Sequence, residues 1–215
     1  MAKIQTIPLF PLELVLYPGE RLPLHIFEQR YKDMIAFCLE KDAHFGVVFR
    51  HEGKMAQIGC TARVEEVERN YEDGRLDIVV VGEKRFRWKE VLQEQAYLTS
   101  RIEFVVEPKE PTKVELRERV ITQHMRLLEL AGRKIRPYLY QQETGLSYFI
   151  AHNSGLNADQ KQKVLELLTE NERNNYLVSH LEALLPRVEQ FEDVRRRVQS
   201  NGHFKDFPPE QTSED

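Results

Sequence analysis

The run Ile7-Pro8-Leu9-Phe10-Pro11-Leu12-Glu13-Leu14-Val15-Leu16-Tyr17-Pro18-Gly19-Glu20-Arg21-Leu22-Pro23-Leu24-His25-Ile26-Phe27-Glu28-Gln29-Arg30-Tyr31 decides how this chain begins to fold. Proline fixes φ and has no N–H to give to a ladder. Pro8, Pro11, Pro18 and Pro23 therefore mark strand ends, edges or turns, and Pro18-Gly19 reads as a turn. A helix follows, because Phe27, Tyr31, Met34, Ile35 and Cys38 recur at spacings of three and four while Glu28, Gln29, Arg30, Lys32 and Asp33 take the other side. Strand, turn, strand and helix are expected in that order.

Outward from this run, Phe45 to Phe49 reads as a buried strand and His51-Glu52-Gly53-Lys54 as a polar loop. Cys60, Ala62 and Val64 alternate with Thr61, Arg63 and Glu65, and the phase slips before Val67, which predicts a bulge near Glu65-Glu66. Asp73-Gly74 signals a hairpin, with Leu76, Ile78 and Val80 on the return strand. Separate strands are expected around Phe86 and Trp88 and around Ile102, Phe104 and Val106.

The composition shifts at Glu107-Pro108-Lys109-Glu110-Pro111, a polar linker, and beyond it the pattern is helical. Thr112 with Glu115, Asn157 with Gln160, and Thr169 with Glu172 have capping-box spacing, and Gly132 suits a helix stop. Leu177, Leu181, Leu184, Val188, Phe191 and Val198, with Arg195 filling one position, form a narrow seam suited to packing along another helix. Packing within the chain is the ordinary meaning of such a seam, a partner helix or a homodimer through it the sharper alternative, and Pro186 predicts a kink or restart near Leu185. The expected architecture is α+β. A β-rich part over 1–107 carries one early helix, a linker spans 108–111, and a helical bundle over 112–200 ends in a long kinked helix. A disordered tail is expected over 201–215.

With 41% hydrophobic and 31% charged residues the chain has the composition of a soluble globular protein. Up to Pro111 it carries 16 Lys and Arg against 19 Asp and Glu, and beyond it 15 against 16, which together make the whole-chain 31 and 35. Neither part is basic, which disfavours nucleic-acid binding. Cys38 and Cys60 are the only cysteines, and Cys38 falls on the apolar face of the first helix, as a buried thiol in a reducing compartment would. Pro8, Pro11 and Glu13 break the apolar run a signal peptide needs, and no stretch is long enough to span a bilayer, so a cytoplasmic protein without a membrane partner is expected.

Known chemistry is absent from the motifs. Gly53-Lys54 is followed by Met55 and makes no P-loop; His51-Glu52 lacks the second histidine of a zinc-protease helix, its place taken by Met55. Gly145-Leu146-Ser147-Tyr148-Phe149 lacks the second glycine of a nucleophile elbow and reads as helix. No cofactor, metal ligand set or catalytic residue is expected.

The patterns P-L-F-P-L (Pro8 to Leu12), V-L-Y-P-G (Val15 to Gly19), L-P-L-H-I-F-E-x-R-Y (Leu22 to Tyr31) and F-G-V-V (Phe45 to Val48) resemble the opening of the Lon-protease N-terminal, substrate-binding domain family. Lys161 to Glu166 and Asn171-Glu172-Arg173 are similar to its helical half. The resemblance implies a PUA-like curled sheet or pseudo-barrel, no ATPase or Ser-Lys peptidase within these residues, and a non-enzymatic role holding peptide or unfolded protein segments. An adaptor or regulator working with a separate protease crosses that reading. Tyr17, before the first helix, and Gln29, Arg30 and Asp33 on its polar face are the expected peptide-binding residues. The alternative is an RNA-binding strand, Arg85-Phe86-Arg87-Trp88-Lys89. Alternation there sends Phe86 and Trp88 to the core and Arg85, Arg87 and Lys89 to solvent.

Overall fold

A computed structural model describes residues 5–92, 96–142 and 145–201. The tail expected over 201–215 lies, apart from Asn201, outside the described residues. Strand β1 (Gln5–Leu12) leads through the Pro18-Gly19 turn to β2 (Arg21–Ile26) and helix α1 (Gln29–Lys41). Gly19 takes φ 79°, which a Cβ would disfavour, and the Glu20 N–H closes the turn on the Tyr17 carbonyl. Then come β3 (Phe45–His51), β4 (Lys54–Met55), β5 (Ile58–Asn70), β6 (Leu76–Leu92) and β7 (Thr99–Phe104). Helices α2 (Val114–Leu130), α3 (Leu146–His152), α4 (Ala158–Glu166) and α5 (Glu170–Asn201) follow, with a 3-10 turn at Pro137–Tyr140.

The sheet closes on itself. Its path is β1-β7-β6-β5-β3, and β1 completes the ring by pairing with β3 as well. One strand serves two neighbours by changing partner halfway. Gln5 to Pro8 lie antiparallel to β7, and Leu9 to Leu12 parallel to β3. Pro8 and Pro11 thus sit within a strand, at the handover and on its parallel half, rather than ending it. The bulge expected near Glu65-Glu66 is present as a register shift between Val64 and Glu66. The polar loop after β3 is only Glu52-Gly53, both at positive φ, and Lys54 already belongs to β4.

Inside the ring Ile7, Leu9, Val48, Phe86 and Ile102 form a closed cluster. The Phe86 ring lies against Gly46 and Gly59, where an added Cβ would come within 2.4 and 2.8 Å of it. Helix α1 covers the outside with Tyr31, Met34, Ile35 and Cys38, joined to Phe45, Cys60 and Val80. Phe27 is not on that face: the helix starts two residues later, with Glu28 as its N-cap, and Phe27 is 62% exposed.

Two strands expected near Leu76 and Phe86 are one. β6 runs without a break from Leu76 to Leu92, pairing with β2 in its first half and β7 in its second. At the changeover the Gly82 N–H donates to the Glu20 carbonyl, and the Gly82 carbonyl accepts from the Gly19 N–H. A Cβ at Gly82 would lie 2.2 Å from the Tyr17 carbonyl oxygen. Backbone cannot yield as a flexible side chain does, so Gly82→Ala is expected to cost about 2 kcal/mol in a urea unfolding titration. A variant as stable as the parent would show that the turn can move away.

The helical elements make a second core around Val120, Leu146, Ile150, Val164, Leu177 and Leu181, which also takes Tyr17, Phe49 and Ile58 from the sheet side. The Asn157–Gln160 capping box is formed in both directions, and Thr169 and Glu172 exchange the same pair of bonds. The box expected at Thr112 is not. Lys113 is the N-cap of α2, and its N–H is taken by the Asn171 side chain at 2.9 Å. Gly132 ends α2 at φ 64° as expected. Helix α5 continues through Pro186 without restarting. Val106 lies beyond β7 and is exposed.

Candidate functional site

Strand β2 pairs with β6 on one side only, and among the described residues its other edge carries no ladder. Pro23 is tolerated in a strand because that strand is an edge. Arg21, Pro23 and His25 point outward, while Leu22, Leu24 and Ile26 face in. Beside the open edge, Phe10, Pro11 and Leu12 of β1, Phe27 and Tyr31 bound a groove of about 290 Å³. Phe27 stacks on His25 with centroids 6.0 Å apart, and Phe10 packs on Tyr31 at 4.1 Å.

Polar contacts hold this wall. His25 Nδ1 lies 2.6 Å from Asp77 Oδ1, and the Tyr71 hydroxyl donates to Asp77 Oδ2 at 2.7 Å. Those hydrogen bonds, that of His25 first, hold the Asp77 carboxyl below the usual range. Arg30 lies over the Tyr31 ring at 4.5 Å and pairs with Glu28. The groove offers an aromatic anchor, an apolar floor and unpaired main-chain groups. No cluster of His, Cys, Asp or Glu fit for a metal occurs among the described residues.

The expected peptide-binding residues separate. Arg30 lines the groove. Gln29 and Asp33 are exposed on the adjoining turn of α1, bonded to each other at 2.7 Å, but do not line it. Tyr17 is not on the surface. Its hydroxyl donates to the Lys161 carbonyl at 3.0 Å and its ring stacks on Tyr148 at 5.2 Å, because the turn after β1 is wedged between sheet and helices. Phe27 was missed as a surface residue because its spacing also fits the helix periodicity.

The second expected set also comes apart. Arg87 and Lys89 are exposed, Lys89 paired with Glu103 at 2.7 Å, and Phe86 is buried as alternation requires. Arg85 is only 5% exposed, a correction to the solvated strand face. The outer side of β6 is covered there by the last turn of α4 and its connection to α5, where the Leu165 and Leu168 carbonyls each accept from Arg85 at 3.0 Å. Carbonyls ending a helix attract a cation.

Arg173, at 1% exposure, completes this junction. It donates to Ser147 Oγ at 2.8 Å, to Glu107 at 2.7 Å and to Glu170 at 2.8 Å. Glu107 also accepts from Arg85 at 3.1 Å, so one carboxylate bridges the two guanidiniums. A polar cleft of about 630 Å³ opens beside them, and both arginines line it with their terminal guanidinium nitrogens already engaged by the protein. The cluster is a clasp between sheet and helices.

A closed β-ring clasped to a helical bundle, with one open strand edge among the described residues, makes an α+β architecture. The chain belongs to the ATP-dependent protease La (LON) substrate-binding domain family, whose model matches residues 6–183. It is similar to the Lon N-terminal domain protein from Xanthomonas campestris, with a TM-score of 0.67 and 24% identity over 82% of this chain and 98% of that one. It is also similar to the N-terminal domain of Mycobacterium avium complex Lon protease, with a TM-score of 0.63 and 20% identity over 83% and 98% of the two chains. Lon protease of Buchnera aphidicola subsp. Baizongia pistaciae is 24% identical over 89% of this chain, which spans 26% of that protein. Lon protease 2 of Myxococcus xanthus is 30% identical over 52% of this chain and 14% of its own length. The match is to the substrate-binding part of these proteases, not to the catalytic part. No helix among the described residues is long and apolar enough to cross a membrane.

Proposed function

We propose that the protein is a non-catalytic module that holds extended, apolar segments of peptide or unfolded protein in the groove beside β2. The observation that carries this is the unpaired β2 edge running next to the exposed Phe27. An extended chain adds to such an edge through its main chain, and alternate side chains fill the adjoining pocket. The substrate-binding family to which the chain belongs supports the same reading. Delivery of the held segment to a separate protease, in a reducing cytoplasm that suits the two buried free thiols, is the wider role we infer.

Fluorescence anisotropy with a labelled, permanently unfolded protein tests it. Saturable binding in the micromolar range is expected, and Phe27→Ala, which removes an exposed anchor and no core contact, is expected to weaken it about tenfold. No saturation at high micromolar concentration, or equal affinity for the variant, would overturn the assignment. The RNA reading has less support at Arg85, whose terminal guanidinium nitrogens donate to the Leu165 and Leu168 carbonyls and to Glu107.

A further inference from the structure

Two adjoining hollows of about 390 and 550 Å³ lie where α2 stops beside α3 and the middle of α5, and they share Leu128, Arg133 and Asn153. Their floor is apolar. Leu128, Leu139 and Phe149 line the first and Leu184 and Val188 the second, all of them half-buried. Arg133, Lys134 and Arg136 rim the first hollow, all exposed, and among the described residues no carboxylate lines either one. In a chain of net charge −4 this patch has the opposite sign to the whole.

The fold does not use these three charges. The end of α2 is closed by backbone, the Ala131, Gly132 and Arg133 N–H groups donating to the Leu127, Glu129 and Leu128 carbonyls. The pull of the helix dipole fades within the last turn, and all three cations lie beyond the Ala131 C-cap. The acids of this region are taken elsewhere: Glu129 and Glu189 both pair with Arg126. Among the described residues no hydrogen bond or ion pair reaches the side chains of Arg133, Lys134 or Arg136.

We propose that these hollows form a second docking site, which takes an acidic segment of a partner protein with apolar side chains between its carboxylates. Two guanidinium forks suit carboxylates, and leucine-like side chains remove the half-buried floor from water. A nucleic acid fits poorly. Three cations neutralise few phosphates, the aliphatic floor gives bases nothing to stack on, and the Phe149 ring is already edge-on to His124 and Tyr140. None of these residues lines the β2 groove, so the protein can hold a segment there and this partner at the same time.

Fluorescence anisotropy of the full chain with a labelled peptide of leucine-glutamate-glutamate repeats tests it. Saturable binding at about 10–100 µM in low salt is expected, weakening as salt is raised. Arg133→Glu combined with Arg136→Glu, both on the surface, is expected to weaken it at least about tenfold and to favour the same peptide with lysine in place of glutamate. Serine in place of leucine in the peptide is expected to cost about tenfold as well. Phe27→Ala is expected to leave this binding unchanged, so failure here and failure of the β2 groove read out separately. Equal affinity for the double arginine variant, or a single-stranded RNA bound more tightly than the peptide through the same arginines, would overturn the proposal. So would binding that appears only once the acidic residues 202–215 are removed, since this chain's own end would then be the occupant.

Discussion

Replacing Arg173 by Ala is expected to destabilise the fold by about 3–5 kcal/mol, because it removes a buried guanidinium and leaves the half-buried Glu170, with Glu107 and the carbonyls at the junction, without their cation. The side chain donates to Ser147, Glu107, Glu170 and the Leu167 and Leu168 carbonyls, and its guanidinium lies 4.6 Å from the Tyr148 ring centroid. Glu170 is itself bonded to the Ser147 N–H and hydroxyl, so it cannot swing out to water without breaking them. Glu107 is more open, its side chain 39% exposed, and recovers part of its hydration. The loss should therefore be shared unequally: Glu170→Gln in the Arg173→Ala background is expected to regain more stability than Glu107→Gln. Urea unfolding followed by circular dichroism measures all three. A loss below about 1 kcal/mol for Arg173→Ala, the level of a surface ion pair, would mean that the clasp does not hold sheet and helices together.

That clasp also marks where sequence reading stops. Helix α1 was legible because its signal is local: Tyr31, Met34, Ile35 and Cys38 recur on one face whatever they pack against. The Glu65-Glu66 bulge and the Asn157–Gln160 cap were legible for the same reason. Phe27 shows the limit of periodicity at an element's end, where the same spacing serves a helix face or the residue just before it.

Arg85 shows a different limit. Alternation states which face of β6 it lies on but not that the last turn of α4 and its connection to α5 cover that face, eighty or more residues away in sequence. Arg173 sits in Asn171-Glu172-Arg173, a polar helix start in sequence, and its partners Ser147 and Glu107 lie 26 and 66 residues distant. The ring closure through β1 is equally non-local, since nothing in Pro8 to Leu12 names both β7 and β3 as neighbours. Of the candidate groove, Pro23 announced an edge, and the walls that make the edge a site came only with the fold.

His124 is expected to make the protein lose about 3 kcal/mol of stability as the pH falls from 6.5 to 4. It is a fully buried residue of α2 that faces the Pro137–Tyr140 turn, with the Tyr140 hydroxyl 2.9 Å from Nδ1 and the Phe149 ring edge-on at 6.0 Å. Burial pushes its pKa down from 6.5 to about 4, opposed in part by the backbone of Asn153, which favours the charged ring. The unfolded chain takes up a proton near pH 6.5 and the folded one does not until near 4, so stability is complete above the first value and lost on the way to the second. Asp73 and Asp77, held below the usual carboxylate range, act in a lower window, since their contribution is present above the ordinary aspartate value of 3.8 and fades as the pH falls below it. Stability measured by urea titration at pH 7.5, 6.0, 5.0 and 4.5 should therefore fall mainly through the histidine. His124→Phe keeps an aromatic ring among Tyr140 and Phe149 and has no proton to gain. It is expected to start from a lower stability at pH 7.5, because the Tyr140 hydroxyl loses its hydrogen-bond partner, and to show little slope above pH 4.5. A variant with the parent's slope would place the acid sensitivity in other groups and leave His124 a packing residue alone.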